Sequence, residues 1–422
     1  MPKNISENNI YFGDNLKLLS LLDNNSIDSC VSDFPYNLGF MGKKWDTIKN
    51  YQEWCYERAV ELYRVLKPGS YCLVFGGTRT HHRLVCAFED AGFIIRDEIQ
   101  WIYSSGFPKS YNVSKGFDKR EGLERLSVGK KFHPTAKNGR RTGSKSPFQA
   151  ENSPLDGSYD ITIPNGELAK RWEGWGTALK PAQEPIVVAQ KPLDGSYCEN
   201  IEKWGVGAMN IDGSRVPLNM DADASQLRTM NRNKREQDTS GQKWGMSKEK
   251  GDNPQVVRLD GRFPANIIFD EEAGLLLDEQ SGITKSGKVK ETKEGYAGES
   301  NTGFLRGVSN SSNQHGDVGG ASRFFYCAKA STKDRTENRQ VLNNHPTVKP
   351  TMLIKYLVKL VTPKNGVSLD ICSGSGTHAK ACLELSKEDY PVNFIGFEND
   401  EENYKTSLER IKVIRKGLSI EQ

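Results

Sequence analysis

The feature that most constrains the fold of this 422-residue chain is an alternation of apolar strands and amphipathic helices at both ends, with long polar stretches between. A predicted buried strand, residues 27–32, ends at Asp33, and helices and strands then alternate as far as Tyr103. The alternation resumes near Phe324. Strands separated by helices of this length are typical of a parallel, doubly wound sheet. We therefore predict an α/β fold whose single sheet is assembled from both ends of the chain.

The polar stretches divide the chain into five predicted regions. The two halves of the core are residues 1–104 and 323–422. Between them lie a basic flexible insertion (105–170), a return strand of the core (171–194) and a second polar region (195–322). Between residues 109 and 145 there are 11 Lys and Arg against three acids, and such a block can neutralise the phosphates of a nucleic acid. A solvated loop has the same composition, so charge alone leaves the partner open.

The composition argues against a membrane protein, a secreted protein and a metalloprotein. No stretch approaches the ~20 apolar residues that span a bilayer, and residues 1–9 lack the apolar run of a secretory signal. We therefore expect a cytoplasmic protein that uses neither a membrane nor a metal. None of the eight cysteines has C-x-x-C spacing, which favours buried free thiols over a zinc site. A reactive thiol, chiefly at Cys372, is the alternative.

A glycine loop near the C-terminus is the first candidate binding site. The predicted strand at residues 367–370 runs into Cys-Ser-Gly-Ser-Gly, and a helix follows. Such a loop lets the backbone approach a ligand at the carboxyl edge of a parallel sheet, and the acid that ends the next strand is placed to bind ribose hydroxyls. A tight turn without a ligand is the alternative. The candidate residues are Asp370, Cys372, Gly374, Gly376, Thr377 and Glu398.

The second candidate site is the tetrapeptide Asp33-Phe34-Pro35-Tyr36, which follows the first predicted strand. It resembles the Asp-Pro-Pro-Tyr motif of DNA amino-methyltransferases. Residues 370–377 resemble the cofactor loop of that family, usually Asp-Pro-Phe-x-Gly-Ser-Gly-Thr. Residues 345–350, which include His345 and Lys349, match the His-Pro-Thr-x-Lys-Pro segment that precedes this loop. Gly13-Asp14 matches the Gly-Asp that precedes the catalytic strand.

The resemblance implies a fold, a cofactor and a substrate. Finding the catalytic motif before the cofactor loop resembles the permuted β-class order, and shorter matches at residues 40–46, 106–110, 180–185 and 323–326 are similar to phage and prophage DNA methylases. The family implies a Rossmann-like methyltransferase fold with circularly permuted motifs, S-adenosylmethionine as cofactor and double-stranded DNA as partner. Residues 195–322 are then the expected target-recognition region, and 105–170 a basic clamp on DNA.

The same resemblance assigns roles to single residues. It places Lys349 near the cofactor carboxylate, and His345 and Asp14 also at the cofactor. Each has a simpler interpretation: Lys349 as a solvated lysine, His345 as a turn residue, and Asp14 as the cap of a helix that begins at Asn15.

The chemistry of amino methylation explains the catalytic motif. An exocyclic amine is a poor nucleophile because its lone pair is delocalised into the ring. Asp33 and a neighbouring backbone carbonyl can accept the two amino hydrogens and so localise the lone pair, and Tyr36 would stack on a flipped target base. Phe34 replaces the family's first proline. The carbonyl acceptor survives this change, but the fixed φ of proline is lost, while Pro35 still restrains Phe34 towards extended geometry.

The expected target is the N6 amine of adenine, because Asp heads the motif and N4-cytosine enzymes more often carry Ser-Pro-Pro-Tyr. N4-cytosine remains an alternative. Methylation of cytosine carbon-5 would need a nucleophilic cysteine, and the chain has no Pro-Cys pair. An RNA or protein-amide methyltransferase is another alternative, but those enzymes often carry Asn-Pro-Pro-Tyr, whereas the motif here begins with Asp33. Phe34 and Cys372 also motivate a further alternative, a catalytically weak methylase that binds DNA as a decoy or regulator.

Overall fold

The computed structural model describes residues 4–39, 44–106, 110–132, 136–137, 140–141, 158–217, 261–285, 318–328 and 332–420. The chain divides into two compact units, Met1–Ser104 with Gln183–Gln422, and Ser105–Ala182. Parts of two shorter sequence matches, 40–43 and 107–109, lie outside the described residues, as do 218–260 and 286–317 of the predicted target-recognition region.

The elements are numbered in chain order. The strands are β1 (Asn9–Phe12), β2 (Ile27–Asp33), β3 (Leu66–Phe75), β4 (Ile94–Ile102), β5 (Leu126–Phe132), β6 (Ala136–Lys137), β7 (Arg140–Arg141), β8 (Ser158–Ile163), β9 (Gln183–Gln190), β10 (Ile267–Asp270), β11 (Thr284–Lys285), β12 (Val318–Gly319), β13 (Tyr326–Ala328), β14 (Val367–Asp370) and β15 (Asn393–Glu398). The helices are α1 (Asn15–Leu19), α2 (Tyr51–Val65), α3 (His81–Asp90), α4 (Val113–Glu121), α5 (Glu167–Arg171), α6 (Tyr197–Trp204), α7 (Glu271–Ser281), α8 (Thr332–Arg335), α9 (Thr351–Val361), α10 (Thr377–Lys387) and α11 (Glu401–Ile420).

Among the described residues, the first unit is built on a nine-stranded sheet in the order β1-β15-β14-β2-β3-β9-β4-β10-β13. All neighbouring pairs are parallel except those of β9, which runs antiparallel to both β3 and β4. Strands from the two ends of the chain meet where β14 pairs with β2. This confirms the predicted α/β fold with a sheet assembled from both chain ends.

Helices cover both faces of the sheet, and β3 illustrates why. Tyr71, Leu73 and Phe75 belong to the core that includes residues of α9 and α10, whereas Cys72 and Val74 belong to the core that includes residues of α2 and α3. Alternate side chains of a strand point to opposite faces, so a strand that is apolar at every position requires cover on both sides. The continuous apolar run of this strand therefore specifies a doubly wound sheet.

The pairing of strands brings the two candidate sites to one edge. Leu369 of β14 lies opposite Cys30 of β2, so the residues that follow both strands emerge side by side. Because β9 is antiparallel to β3, with Ile186 opposite Phe75, it is the beginning of β9 that lies at this edge. The carboxyl ends of parallel strands are the usual binding edge of such sheets.

The second unit, Ser105–Ala182, contains α4, α5 and the antiparallel pair β5–β8. Buried Asp118 holds it together, since its carboxylate accepts hydrogen bonds from the Gly166 backbone N–H at 2.9 Å and from Arg125 Nη1 at 2.8 Å. The segment predicted as a flexible insertion, 105–170, thus includes regular elements, and the compact unit extends to Ala182. The role of this segment as a DNA clamp stays a prediction.

Candidate active site

The catalytic motif begins where β2 ends. Phe34 turns inward and is 1% exposed, with its ring centroid 5.5 Å from Trp54 in an edge contact and 6.1 Å from Phe88. The aromatic ring at the position of the family's proline is therefore a core residue that packs against α2 and α3. Asp33, Pro35 and Tyr36 are less buried than Phe34, and all four residues of the motif border one cavity.

A buried ammonium joins the catalytic motif to strand β9. Lys349 Nζ lies 2.6 Å from Asp33 Oδ2 and 3.3 Å from Glu184 Oε2. The Tyr36 hydroxyl donates to the same Glu184 oxygen at 2.7 Å. Burial acts to lower the pKa of Lys349, but the two carboxylates outweigh it and raise that pKa above its ordinary value. Burial and both carboxylates raise the pKa of Tyr36, so its hydroxyl stays a neutral donor.

This arrangement differs from what the sequence indicated for Lys349. The resemblance suggests that Lys349 lies near the cofactor carboxylate, whereas in the structure its ammonium donates a hydrogen bond to Asp33 of the predicted catalytic motif. Sequence reasoning gave Glu184 no role. The available signal was its position in the match at residues 180–185, at the start of a predicted strand.

The glycine loop after β14 is tightly packed from outside. Gly374 and Gly376 have φ of 51° and 81°, in the left-handed region that favours glycine. A Cβ on Gly374 would lie 3.0 Å from His345 Nε2, and one on Gly376 would lie 2.9 Å from Ser407 Cβ. Both glycines are therefore required by backbone conformation and by close neighbours.

Glu398 closes the loop from the end of β15. Its Oε2 accepts from the Gly374 N–H at 2.6 Å, and its Oε1 accepts from the backbone N–H groups of Asn399 at 3.0 Å and Asp400 at 2.8 Å. Burial raises the pKa of Glu398 to about 7, against the hydrogen bonds that lower it. The carboxyl also lines the cavity, so it faces both the loop backbone and the ligand space.

One cavity of about 350 Å³ connects the two candidate sites. Its lining includes the predicted catalytic residues Asp33–Tyr36, the segment from His345 to Lys349 except Pro346, the loop from Asp370 to Ser375, and Glu398. Thr377 also lines it, whereas Gly376 packs on Ser407 instead. Residues predicted from opposite ends of the sequence therefore line one cavity.

His345 and Trp45 form a wall of this cavity. Their rings are stacked, with centroids 6.3 Å apart and 16° between the planes. Burial, helped by the charges of Lys349 and Arg335, lowers the pKa of His345 to about 4, so its imidazole is neutral at physiological pH. The Arg335 guanidinium donates to the His345 carbonyl and holds the segment in place.

Asp14 lies apart from the other candidates. Its carboxylate accepts from the Lys17 N–H at 3.2 Å and caps α1, and its side chain is 46% exposed. Gly13 and Asn15 line the cavity, but Asp14 between them does not. The structure therefore places Asp14 as the helix cap that was its simpler interpretation.

Cys372 lines the cavity beside Asn15, whose amide lies 3.7 Å from the sulfur. Burial, together with nearby carboxylates, raises the pKa of this thiol well above its ordinary value. A protonated thiol is a weak nucleophile. Across the described residues, no group of three or more His, Cys, Asp and Glu is arranged to hold a metal ion, and no described helix is both long and apolar enough to cross a membrane.

Asp370 gives the site a pH dependence that can be tested. The carboxylate accepts from Ser32 Oγ at 2.7 Å and from the Cys372 N–H at 3.0 Å. Burial raises its pKa to about 7, although these hydrogen bonds lower it. An unfolded Asp has a pKa of about 3.9, so the folded protein binds more protons between these values. The stability contributed by this carboxyl is present below the unfolded pKa and is lost as pH rises through 7.

Asp370→Asn keeps an acceptor oxygen but cannot ionise. We expect its free energy of unfolding, relative to wild type, to rise by about 2 kcal/mol between about pH 5.5 and about pH 8, because about 1.5 pKa units at about 1.36 kcal/mol each are traversed. Urea denaturation of the cofactor-free protein at both pH values measures this. Asp389→Asn, at a fully exposed carboxylate, is the matched control and should show no such change. A pH-independent difference for Asp370→Asn would contradict the assignment.

Residues 27–409 match the family model for N6/N4 methyltransferases, described as DNA methylase. The chain belongs to the N6/N4 DNA methylase family. The family uses S-adenosylmethionine as its methyl donor, which agrees with the cofactor expected from the sequence.

Individual relatives match shorter regions. The type II methyltransferase M.HindIII of Haemophilus influenzae is 26% identical over 243 residues, which cover 48% of this chain and 64% of that protein. M.HpaI of Haemophilus parainfluenzae is 31% identical over 138 residues, or 29% of this chain and 44% of that protein. The matches thus span between two fifths and two thirds of these two relatives.

Two solved structures of methyltransferases align with most of the chain, with TM-scores below 0.5. The M1.HpyAVI–SAM complex has a TM-score of 0.38 and 14% identity, and the match covers 95% of this chain and 98% of that one. The PvuII cytosine-N4-specific DNA methyltransferase has a TM-score of 0.41 and 13% identity, and the match covers 98% of this chain and 92% of that one.

Proposed function

We propose that the protein transfers a methyl group from S-adenosylmethionine to the N6 amine of adenine in double-stranded DNA, with the target base flipped out of the duplex. The observation that carries the proposal is the single cavity that joins Asp33–Tyr36 to the glycine loop and Glu398. A transfer reaction needs the acceptor and the donor in one space, and family membership supplies the reaction type. Flipping is part of the proposal because an amine inside the base stack is out of reach of groups that line a cavity in the protein.

The residues of the cavity fit the cofactor. Its volume of about 350 Å³ lies within the range of small-molecule sites. Glu398 offers a carboxylate to ribose hydroxyls, and the loop around Gly374, whose left-handed φ favours glycine, borders the same cavity. When bound, S-adenosylmethionine supplies an electrophilic methyl group on a sulfonium. These residues would hold it at the carboxyl ends of β14 and β15.

The remaining residues of the cavity act on the base. Asp33 accepts one amino hydrogen and the backbone carbonyl of Phe34 or Pro35 accepts the other, which localises the nitrogen lone pair. The burial of Phe34 fixes this stretch of backbone, so the aromatic residue does by packing what a proline does by its ring. Tyr36 offers its ring for stacking while its hydroxyl is held by Glu184. The carboxylate of Asp33 is also placed to stabilise the positive charge that develops on the amine.

Identification of the product tests the proposal. The protein is expressed in a host that lacks its own DNA methylases, the DNA is digested to nucleosides, and methylated bases are measured by mass spectrometry. We expect N6-methyldeoxyadenosine. N4-methyldeoxycytidine would replace the adenine assignment with the cytosine one. If no methylated base is found although calorimetry shows that S-adenosylmethionine binds, the protein binds the cofactor without methylating DNA, and the proposed function is wrong.

A further inference from the structure

Lys349 is the feature of the base-binding end that the proposed chemistry does not use. Its side chain is 7% exposed, and its Nζ lies between Asp33 and Glu184 at 2.6 Å and 3.3 Å. The same nitrogen lies 5.3 Å from the ring centroid of Tyr36 and 5.2 Å from that of Phe75. The ammonium is thus fixed beside the acceptor carboxylate and close to the ring proposed to stack on the base.

The Lys349 ammonium has more hydrogen-bond donors than it has polar partners among the described residues. An ammonium carries three N–H donors, and within the described part of the chain its polar contacts are with the two carboxylates of Asp33 and Glu184. Buried donors in folded proteins are nearly always paired. Lys349 also lines the cavity, so a ligand group in that cavity can supply the third acceptor.

The chemistry of the bases indicates which group this is. In adenine the N6 amine is adjacent to N1, a hydrogen-bond acceptor, and in cytosine the N4 amine is adjacent to N3, also an acceptor. A base whose amine lies on Asp33 therefore presents an acceptor next to that carboxylate, on the side of the Watson–Crick edge. Guanine presents an N1–H donor beside its amine on that edge, and an ammonium would oppose it.

We propose that Lys349 is a specificity-determining residue that donates its third hydrogen to the ring nitrogen next to the target amine. Asp33 and Lys349 then form a two-point contact that accepts from the amine and donates to its neighbour, and the ion pair with Glu184 holds the ammonium in position. This inference rests on the proposed function, since it requires a target base in the cavity. It adds to that function a reason for choosing amino bases with an adjacent acceptor.

Substitution of a single atom in the DNA tests the contact. The recognised sequence is first identified by mapping methylated bases in the expression host, and a duplex is then made with 1-deazaadenine at the target position, which replaces N1 by C–H. We expect kcat/KM of the wild-type protein to fall by about 10- to 100-fold, as for the loss of a charge-assisted hydrogen bond. A 7-deazaadenine duplex, altered away from the amine, is the control and should be methylated within about threefold of adenine.

Replacing N1 by C–H also changes the basicity of the base, so a variant of Lys349 is needed to attribute the effect to the lost hydrogen bond. Lys349→Met keeps the length and burial of the side chain but cannot donate. We expect it to methylate adenine and 1-deazaadenine with kcat/KM values within about twofold of each other. If wild type does not discriminate between the two bases, or if Lys349→Met discriminates as strongly as wild type, the inference is wrong although the enzyme methylates DNA. Failure to methylate the natural duplex would instead refute the proposed function. If the product is methylcytosine, 3-deazacytosine takes the place of 1-deazaadenine.

Discussion

Replacing Asp33 with alanine is expected to lower kcat for methyl transfer by about a hundredfold to a thousandfold while S-adenosylmethionine still binds. The carboxylate is the proposed acceptor for the target amine, and without it the lone pair stays delocalised. The groups proposed to hold the cofactor, Glu398 and the glycine loop, have no hydrogen bond to Asp33 among the described contacts, so they remain in place. Transfer of labelled methyl to DNA gives kcat, and calorimetry gives the cofactor affinity.

Two features make this substitution informative. Lys349 keeps Glu184 as a partner at 3.3 Å, so the variant does not leave a buried cation without a carboxylate. Glu401→Ala removes an exposed carboxylate paired with Lys405 and is the control, which should retain both activity and cofactor binding. A kcat within tenfold of wild type would show that another group accepts the amine hydrogens. Loss of cofactor binding together with activity would indicate a structural role.

The sequence predicted the parts of the site that follow parallel strands. Asp33 and the loop after Asp370 each end an apolar run, and the carboxyl ends of parallel strands share an edge, so their proximity followed from the fold class alone. Glu398 was predicted by the same argument. The pairing of β14 with β2 agrees with this reasoning, although the two strands lie more than 330 residues apart in the sequence.

Glu184 could not be found in this way because β9 runs in the opposite direction. A residue at the beginning of an antiparallel strand reaches the same edge as residues at the ends of its neighbours, and nothing in the local sequence gives the direction of a strand. The placement of Lys349 depended on Glu184 in turn. The Lys349 ammonium lies between the carboxylates of Asp33 and Glu184, and the sequence gave no indication that Glu184 would be there.

Burial decided the interpretation of Phe34 and Asp14. Both were judged from motifs, and the motif gives no information on which way a side chain points. Phe34 departs from the family's proline, yet it fills a space between β2 and two helices. Asp14 matches its motif, yet its carboxylate caps the N-terminus of α1 by accepting a hydrogen bond from the Lys17 N–H, which has no partner within the helix.

A buried cluster of charges packs against the glycine loop after β14. Arg410 of α11 is fully buried, and its guanidinium donates to the Ser375 carbonyl at 2.8 Å and to Thr377 Oγ1 at 3.2 Å. Glu337 accepts from Arg410 Nε at 3.0 Å and from Lys380 Nζ at 2.7 Å. Glu337 has a φ of 46°, in the left-handed region that is costly for a residue with a side chain. The two cations therefore hold a strained turn in place beside the loop.

Glu337→Gln is expected to lower the free energy of unfolding by about 3 to 5 kcal/mol, because it leaves the cation of Arg410 buried without its carboxylate. Glutamine keeps the size of the side chain and one acceptor oxygen, so the effect reports the charge. Urea denaturation at neutral pH measures it. The matched control is Glu401→Gln, which breaks an exposed ion pair with Lys405 and should cost less than about 1 kcal/mol. Equal effects of the two substitutions would show that Glu337 contributes no more than a surface charge, and that the glycine loop is held by its own backbone conformation.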